Sequence, residues 1–428
     1  MEILILVVSF LVLLSIGVPV AWSIGISSLL TMLVGIPVMP AFTTVTQRMA
    51  TGLDSFALLA IPFFILAGQI MNRGGIARRL VKFAKTLVGA LPGGLAHVNI
   101  IAAMLFGAIA GSAVAAASAI GSFMTDEMEK EGYSRQFAAA VNITSSTTGL
   151  TIPPSNILIV YSLASGGVSI AALFLAGYVP GILTGVFLMI VSAIWAKRKG
   201  FPAGKRSKLS EVFRSFLDAF PSLLLLVVVI GGIVAGIFTA TEASAVAVLY
   251  CLVLTYLYKE VSMKDVPGIF LDSVGTTAIV MLLIGTSMSM SWIMAYEDIP
   301  QNITSILLSI SDSKVVILLI INLTLLFVGI FMDMTPAVLI FTPIFLPVVT
   351  EMGMDPTHFG IIMVLNLCIG LCTPPVGSVL FVGVGIAGTT IEKVVRPLLP
   401  LFIAMIVALM LVTYIPGLSL WLPRAFGF

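Results

Sequence analysis

Hydrophobic residues run along this chain in long blocks separated by short polar punctuation. Runs of about 18 or more apolar residues recur from end to end, the length a helix needs to cross hydrocarbon. Residues 3 to 36 read as two spans meeting at Gly17-Val18-Pro19. The first is expected to be a retained span, since neither a basic region nor a small-residue cleavage site accompanies Glu2-Ile3. Residues 37 to 54 are more polar and carry Arg48 and Asp54, and Ser55 to Met71 form the next span. Arg73, Arg78, Arg79, Lys82 and Lys85 then make a basic amphipathic stretch suited to a helix in the cytoplasmic interface. After a turn at Leu91-Pro92-Gly93-Gly94, residues 95–130 hold two apolar pieces joined by Ala110-Gly111-Ser112-Ala113. Each piece is short for a full crossing, which predicts a re-entrant hairpin. Its exit is polar, with Asp126, Glu127, Glu129, Lys130 and Glu131. Residues 136–165 contain a helix broken at Gly149-Leu150-Thr151-Ile152-Pro153-Pro154-Ser155, because proline lacks the backbone donor and clashes with the preceding turn. Residues 168 to 196 make a long span.

The pattern then repeats. An offset of 221 takes Pro153-Pro154 to Pro374-Pro375, Gly132 to Gly353, Gly149 to Gly370, Gly167 to Gly388 and Phe106 to Phe327. Identity is weak, six matches in 22 between 149–170 and 370–391, but the punctuation is shared. The second half therefore carries a hairpin over 315–350 and a broken helix over 357–388, with Asp333 opposite Ser112 and Thr335 opposite Val114. The divider is residues 197–218. Seven of the 21 basic residues lie within 197–214 (Lys197, Arg198, Lys199, Lys205, Arg206, Lys208 and Arg214), against the single acid Glu211. A short, strongly basic loop marks the cytoplasmic side. The first hairpin is preceded by five basic residues, whereas its echo is preceded by Glu297, Asp298 and Asp312 with only Lys314 opposing. The halves 1–196 and 219–428 are thus expected to be inverted repeats, each with an odd number of crossings, so that both termini lie outside.

Composition narrows the function. At 59% hydrophobic and 9% charged residues, this is an all-α polytopic membrane protein rather than a soluble domain, which is roughly a quarter charged. Nothing in it points to nucleic acid as a partner. Cys251, Cys368 and Cys372 all fall in apolar segments and read as small buried hydrophobes. His97 and His358 form no metal-binding pattern and read as packing residues. No phosphate-binding Gly-x-x-x-x-Gly-Lys loop and no His-Glu-x-x-His motif is present, so energy must come from an ion gradient or the membrane potential. No organic cofactor is called for.

The candidate chemistry sits at the breaks. Asn142, Thr144, Ser145, Ser146, Thr147, Thr148, Thr151, Ser155 and Asn156 surround the first one and face Gly111-Ser112. Hydroxyls and freed carbonyls are hard oxygen ligands suited to Na⁺. The competing reading is hydrogen bonding back to their own helical turn. Asp333 interrupts two apolar blocks, and an ionisable group there is a functional hypothesis, alone or together with capping the helix that starts at Thr335-Pro336. Glu242 fits either a structural hydrogen bond at a helix break or an ion role. Arg48 could meet an anionic substrate or rest at the interface.

These stretches resemble the large membrane subunit of the tripartite ATP-independent periplasmic (TRAP) transporters. The matching residues are Gly52-Leu53-Asp54-Ser55-Phe56 with Leu58-Leu59-Ala60-Ile61-Pro62-Phe63-Phe64, Leu91-Pro92-Gly93-Gly94-Leu95, Ser145-Ser146-Thr147 with Ile152-Pro153-Pro154-Ser155, and Gly370-Leu371 with Thr373-Pro374-Pro375-Val376-Gly377. Phe238-Thr239 with Thr241-Glu242-Ala243 is another, though the family usually has proline where Ala240 stands. The resemblance implies an inverted-repeat elevator-type fold in a bacterial inner membrane, importing a small organic acid with Na⁺ as the coupling ion. It also implies a small four-helix membrane subunit and a soluble periplasmic binding protein as partners. By motif, one Na⁺ site would draw on Gly111, Ser112, Asn142, Thr147, Thr148, Gly149 and Thr151. A second would draw on Asp333, Thr335, Gly370 and Thr373. Substrate would lie near Pro154, Ser155, Asn156, Pro375, Val376 and Gly377, with Arg48 as a further candidate. The alternatives are a stand-alone ion-coupled anion carrier of the same superfamily, a channel, and a membrane-embedded enzyme. The enzyme is the weakest, because Asp333 has no second catalytic carboxylate or His beside it.

Overall fold

A computed structural model describes residues 2–428 apart from 202, 203, 205, 263 and 312. Lys205 and Asp312, two of the loop charges counted above, lie outside the described residues. The first half runs α1 (Glu2–Ser15), α2 (Val20–Gly35), α3 (Val38–Leu53), α4 (Ala60–Arg73), α5 (Ile76–Val88), α6 (Gly94–Ala110), α7 (Ala113–Lys130), α8 (Arg135–Thr151), α9 (Asn156–Ala164) and α10 (Ile170–Lys199). The second runs α11 (Leu209–Val234), α12 (Ala240–Tyr258), α13 (Val266–Tyr296), α14 (Ile299–Ile310), α15 (Lys314–Phe331), α16 (Met334–Glu351), α17 (Pro356–Gly370), α18 (Ser378–Ile386), α19 (Ile391–Tyr414) and α20 (Gly417–Ala425). A 3₁₀ turn, Phe56–Leu59, leads into α4. Eight of the described helical stretches are long and apolar enough to cross a membrane. The molecule is an all-helical, multi-pass membrane protein.

The boundaries repeat with the offset seen in the sequence. The span of α7 recurs 221 positions later as α16, at both ends, and α8 and α9 recur as α17 and α18 to within two residues. Local chemistry sets these ends. Gly111, with φ 60°, closes α6 in the left-handed conformation that glycine tolerates. Ser112 then caps α7, its Oγ accepting from the Ala115 N–H at 3.2 Å, a bond worth about 1 kcal/mol. Asp333 stands at the same place before α16, but its carboxylate makes no capping hydrogen bond. Thr239 and Glu242 form a reciprocal capping box at the start of α12, the Glu242 carboxylate accepting from the Thr239 N–H at 2.8 Å. Glu242 thus makes the structural hydrogen bond at a helix break.

α8 and α17 form the axis of the fold. Every residue of α8 from Phe137 to Thr151 is buried, as is every residue of α17 from His358 to Gly370. They touch directly, the Cys368 thiol reaching the Thr147 carbonyl at 3.3 Å, and just past α17 the Cys372 thiol reaches the Ile143 carbonyl at 3.4 Å. All three cysteines are free and buried. The halves also interlock, because α9 packs on α16 and α18 packs on α7. Around this centre stand α1–α4 and α11–α13, where α4 packs on α12 and α13 on α2, α3 and α16. Arg73 ends α4, and the rest of the basic stretch folds as α5, seated between α6 and α11. Its Arg79 and Lys82 reach Asp218, at 3.4 and 3.7 Å. Arg135, at the start of α8, donates to Glu129 at 2.7 Å and to the Ala387 carbonyl at 3.2 Å, tying the hairpin exit to the end of α18. The hydrogen bond it donates to Glu129 raises the pKa of that guanidinium further above its ordinary range.

Candidate functional site

The hairpin tips and the helix breaks of both halves converge on one cavity of about 480 Å³. Gly111, Ser112 and Ala113 reach it from the first tip and Asp333, Met334 and Thr335 from the second. Leu150 and Asn156 flank the first break on its wall, and Leu371 and Ser378 flank the second. Close backbone approach makes this possible. A Cβ on Gly149 would stand 2.4 Å from the Gly107 Cα, and one on Gly370 would stand 2.5 Å from the Gly329 Cα. Those two pairs of glycines let each broken helix press against its own hairpin, which holds the tip beside the break. The two breaks share a further detail, in that Pro153-Pro154 and Pro374-Pro375 are both cis.

The predicted residues divide into those on the cavity and those behind it. Gly111, Ser112, Asn156, Asp333 and Thr335 line the wall. Thr147, Thr148 and Thr151 are fully buried in α8, one layer back. Their hydroxyls do bond locally, Thr147 to the Thr144 carbonyl at 3.0 Å and Thr148 to the Ser145 carbonyl at 2.5 Å, while Thr151 lies 3.9 Å from the Cys368 sulfur. A hydroxyl that donates its proton to its own turn keeps both lone pairs for another ligand. Asn142 donates to the Ala117 carbonyl at 2.9 Å, so it clamps α8 to α7, and its Oδ1 is buried without a partner. Thr373 donates to the Ile369 carbonyl at 2.8 Å.

The two breaks differ in exposure. Pro153, Pro154 and Ser155 are buried, whereas Pro375 and Val376 are exposed. Ser155 donates to the Leu150 carbonyl at 2.5 Å, replacing the donor that Pro154 lacks. At the second break the Gly370 and Leu371 carbonyls are taken by the Thr373 and Leu380 N–H groups. Pro154, Ser155, Pro375, Val376 and Gly377 thus shape the breaks without lining the cavity. Arg48 lies elsewhere: it is exposed on α3, with its guanidinium 5.5 Å from the centroid of Trp292. Arg48 is therefore not among the residues that line the cavity.

Sequence reasoning passed over part of the wall. Gly68, Gln69 and Asn72 of α4 and Thr276 of α13 complete it from outside the hairpins. The available signal was a pair of amides three positions apart in an otherwise apolar helix, which places both on one face. Two buried polar atoms near the wall have no partner, Asn156 Oδ1 and Ser378 Oγ. Buried polar groups are ordinarily satisfied, so these are positions where a ligand atom would be welcome. The chemistry on offer is one carboxylate, several neutral oxygens and amides, and apolar patches from Ile61, Ile65, Ile157 and Val160. Among the described residues no three His, Cys, Asp or Glu side chains gather as a metal site.

Comparison with known proteins bears on family and fold. Residues 7–418 match the family described as the tripartite ATP-independent periplasmic transporter, DctM component. The chain is 57% identical over 425 residues to an uncharacterised Salmonella typhimurium protein, YgiK, covering 99% of this chain and 98% of that one. It is 41% identical over 406 residues to the C4-dicarboxylate TRAP transporter large permease protein DctM of Pseudomonas aeruginosa, covering 95% and 94% of the two chains. Among solved structures, the YdaH transporter of Alcanivorax borkumensis superposes with a TM-score of 0.64 at 13% identity, over 90% of this chain and 88% of that one. At that identity the likeness is one of fold.

Proposed function

The chain belongs to the tripartite ATP-independent periplasmic transporters, as their DctM component, and we propose that it is the large membrane subunit of a Na⁺-coupled importer of a small organic acid. The observation that carries this reading is the single cavity on which both hairpin tips and both helix breaks converge. Broken helices at the interface of two repeats are where transporters hold substrate and coupling ion. Neutral oxygens near the Ser112 tip form one ion pocket, with Thr147, Thr148 and Thr151 behind them. Asp333 and Thr335, backed by Gly370 and Thr373, form the other. Only the second carries a carboxylate, so the two differ in charge. The substrate carboxylate sits between them and takes its hydrogen bonds from amides and hydroxyls such as Asn156 and Ser378. Bound Na⁺ offsets its charge in a setting where an isolated anion would be costly.

The two halves act as inverted repeats, with the 197–214 loop cytoplasmic and both termini periplasmic, in a bacterial inner membrane. The interlocked unit of hairpins and broken helices, α6–α9 and α15–α18, moves as an elevator against α1–α4 and α11–α13. A soluble periplasmic binding protein delivers the substrate and a small membrane subunit completes the static part. Uptake of a C4-dicarboxylate, a sugar acid or a keto acid by proteoliposomes holding both membrane subunits tests the reading. Saturable, Na⁺-dependent uptake that requires the binding protein is expected. Equal uptake without the binding protein would replace it with a stand-alone anion carrier.

A further inference from the structure

A second chamber adjoins the central cavity. Asn72 and Ser118 line the cavity and also line this chamber of about 490 Å³. That chamber lies between the α4–α5 corner and the outer part of α7. Ser118 is six residues along α7 from the Ser112 tip and Ser122 is ten, which places them about 9 and 15 Å away along the helix axis. The other walls include Arg73, Arg78, Phe123 and Glu260.

The ionic partners around the chamber leave one charge over. Arg73 pairs with Asp272. Arg79 and Lys82 are matched by Asp218 and Glu260, with Arg79 4.0 Å from Glu260 and 3.4 Å from Asp218. Arg78 is exposed on the chamber wall, and among the described residues it makes no ion pair or hydrogen bond. The chamber therefore holds one uncompensated guanidinium, the side chain best shaped to take a carboxylate or another oxyanion through two parallel hydrogen bonds. Asn72, at the throat, likewise has a free amide among the described residues.

We infer that this chamber is an anion-binding vestibule of the central cavity, in which Arg78 holds a small carboxylate or sulfonate on its way between the cavity and the aqueous phase beside α5. The role in release rests on the central cavity being the substrate site; the anion preference of the chamber does not.

Ser122→Cys in the full chain provides the probe, because the native cysteines are buried. Its modification rate is measured with a thiosulfonate reagent carrying a sulfonate and with one carrying a quaternary ammonium. The ratio of anionic to cationic rate is expected to fall on the order of five-fold in Arg78→Gln, since one unit charge a few ångströms away is lost. Arg78→Lys should keep most of the ratio. A cysteine at Ser313, far from the chamber, should show no change and so separates a local field from misfolding. Succinate should slow the anionic reaction in the Arg78 protein and not in Arg78→Gln. An unchanged ratio in Arg78→Gln would overturn the inference. So would a preference present in phospholipid-free detergent and abolished in phosphatidylglycerol bilayers, because a lipid phosphate would then be the occupant. Failure of Na⁺-dependent uptake with the charge preference intact would count against the proposed function and leave the anion site standing.

Discussion

The matched positions Ser112 and Asp333 invite one test, because fold and ion binding respond to them in opposite order. Ser112 Oγ caps α7 at 3.2 Å, so Ser112→Ala should cost about 1 kcal/mol of stability. Asp333 makes no capping bond before α16, so Asp333→Asn, which keeps the shape and removes the charge, should leave the unfolding midpoint within a degree or two. For the ion the order reverses. If the Asp333 carboxylate contacts Na⁺, its net worth is taken as that of a hydrogen bond to a charged group, about 1.5–3 kcal/mol. That corresponds to a rise in the Na⁺ concentration for half-maximal uptake of roughly ten- to 150-fold. Ser112 is one neutral ligand among several, and its loss should raise that concentration roughly five-fold. Two measurements check this: Na⁺ titration of uptake, and Na⁺ titration of the thermal midpoint, since an ion that binds only the folded state stabilises it by mass action. A Na⁺ half-saturation within two-fold of the parent in Asp333→Asn would refute the assignment of Asp333 to an ion site. A large loss of stability in the same variant would assign it a structural role instead.

The glycine contacts behind the cavity predict a sharp packing effect. A Cβ at Gly149 meets the Gly107 backbone at 2.4 Å, and backbone cannot rotate aside, so Gly149→Ala should destabilise by about 1–3 kcal/mol; Gly275→Ala, with open space around it, should show no loss in the same thermal assay. The proposed orientation predicts that Ser207→Cys, in the basic connector, reacts with an impermeant reagent only from the cytoplasmic side of oriented vesicles. Labelling from outside would reverse every side assigned above.

Much of the fold was legible because its signals are local. Two successive prolines remove two successive backbone donors, which marked both breaks. A polar residue between two apolar blocks marks a turn into a new helix, as Ser112 after Gly111 and Asp333 after Met332 did at the hairpin tips. The 221-residue offset survived weak identity because such punctuation is constrained by backbone geometry rather than by side-chain packing. The site was legible only in part. Ser112, Asn156, Asp333 and Thr335 were found from polarity in apolar surroundings. Gln69, Asn72 and Thr276 were missed because single polar residues in membrane helices are common, and only their placement opposite the tips makes them informative. Arg48, a candidate for an anion by its charge, packs on Trp292, 244 positions away. No local pattern encodes such a contact.

The sequence by itself thus determined the membrane class, the two halves, the hairpins, the breaks and the difference between a serine tip and an aspartate tip. The tertiary structure decided which of those residues share a cavity. It turned Pro154, Ser155 and the α8 threonines away from the wall, placed α4 and α13 opposite the tips, and set a second chamber with Arg78 beside it. The physical reason is range. Helix ends follow from donors and dihedrals within a few residues, whereas a cavity is what remains after helices hundreds of positions apart have packed, and close contacts such as Gly107 against Gly149 set its shape.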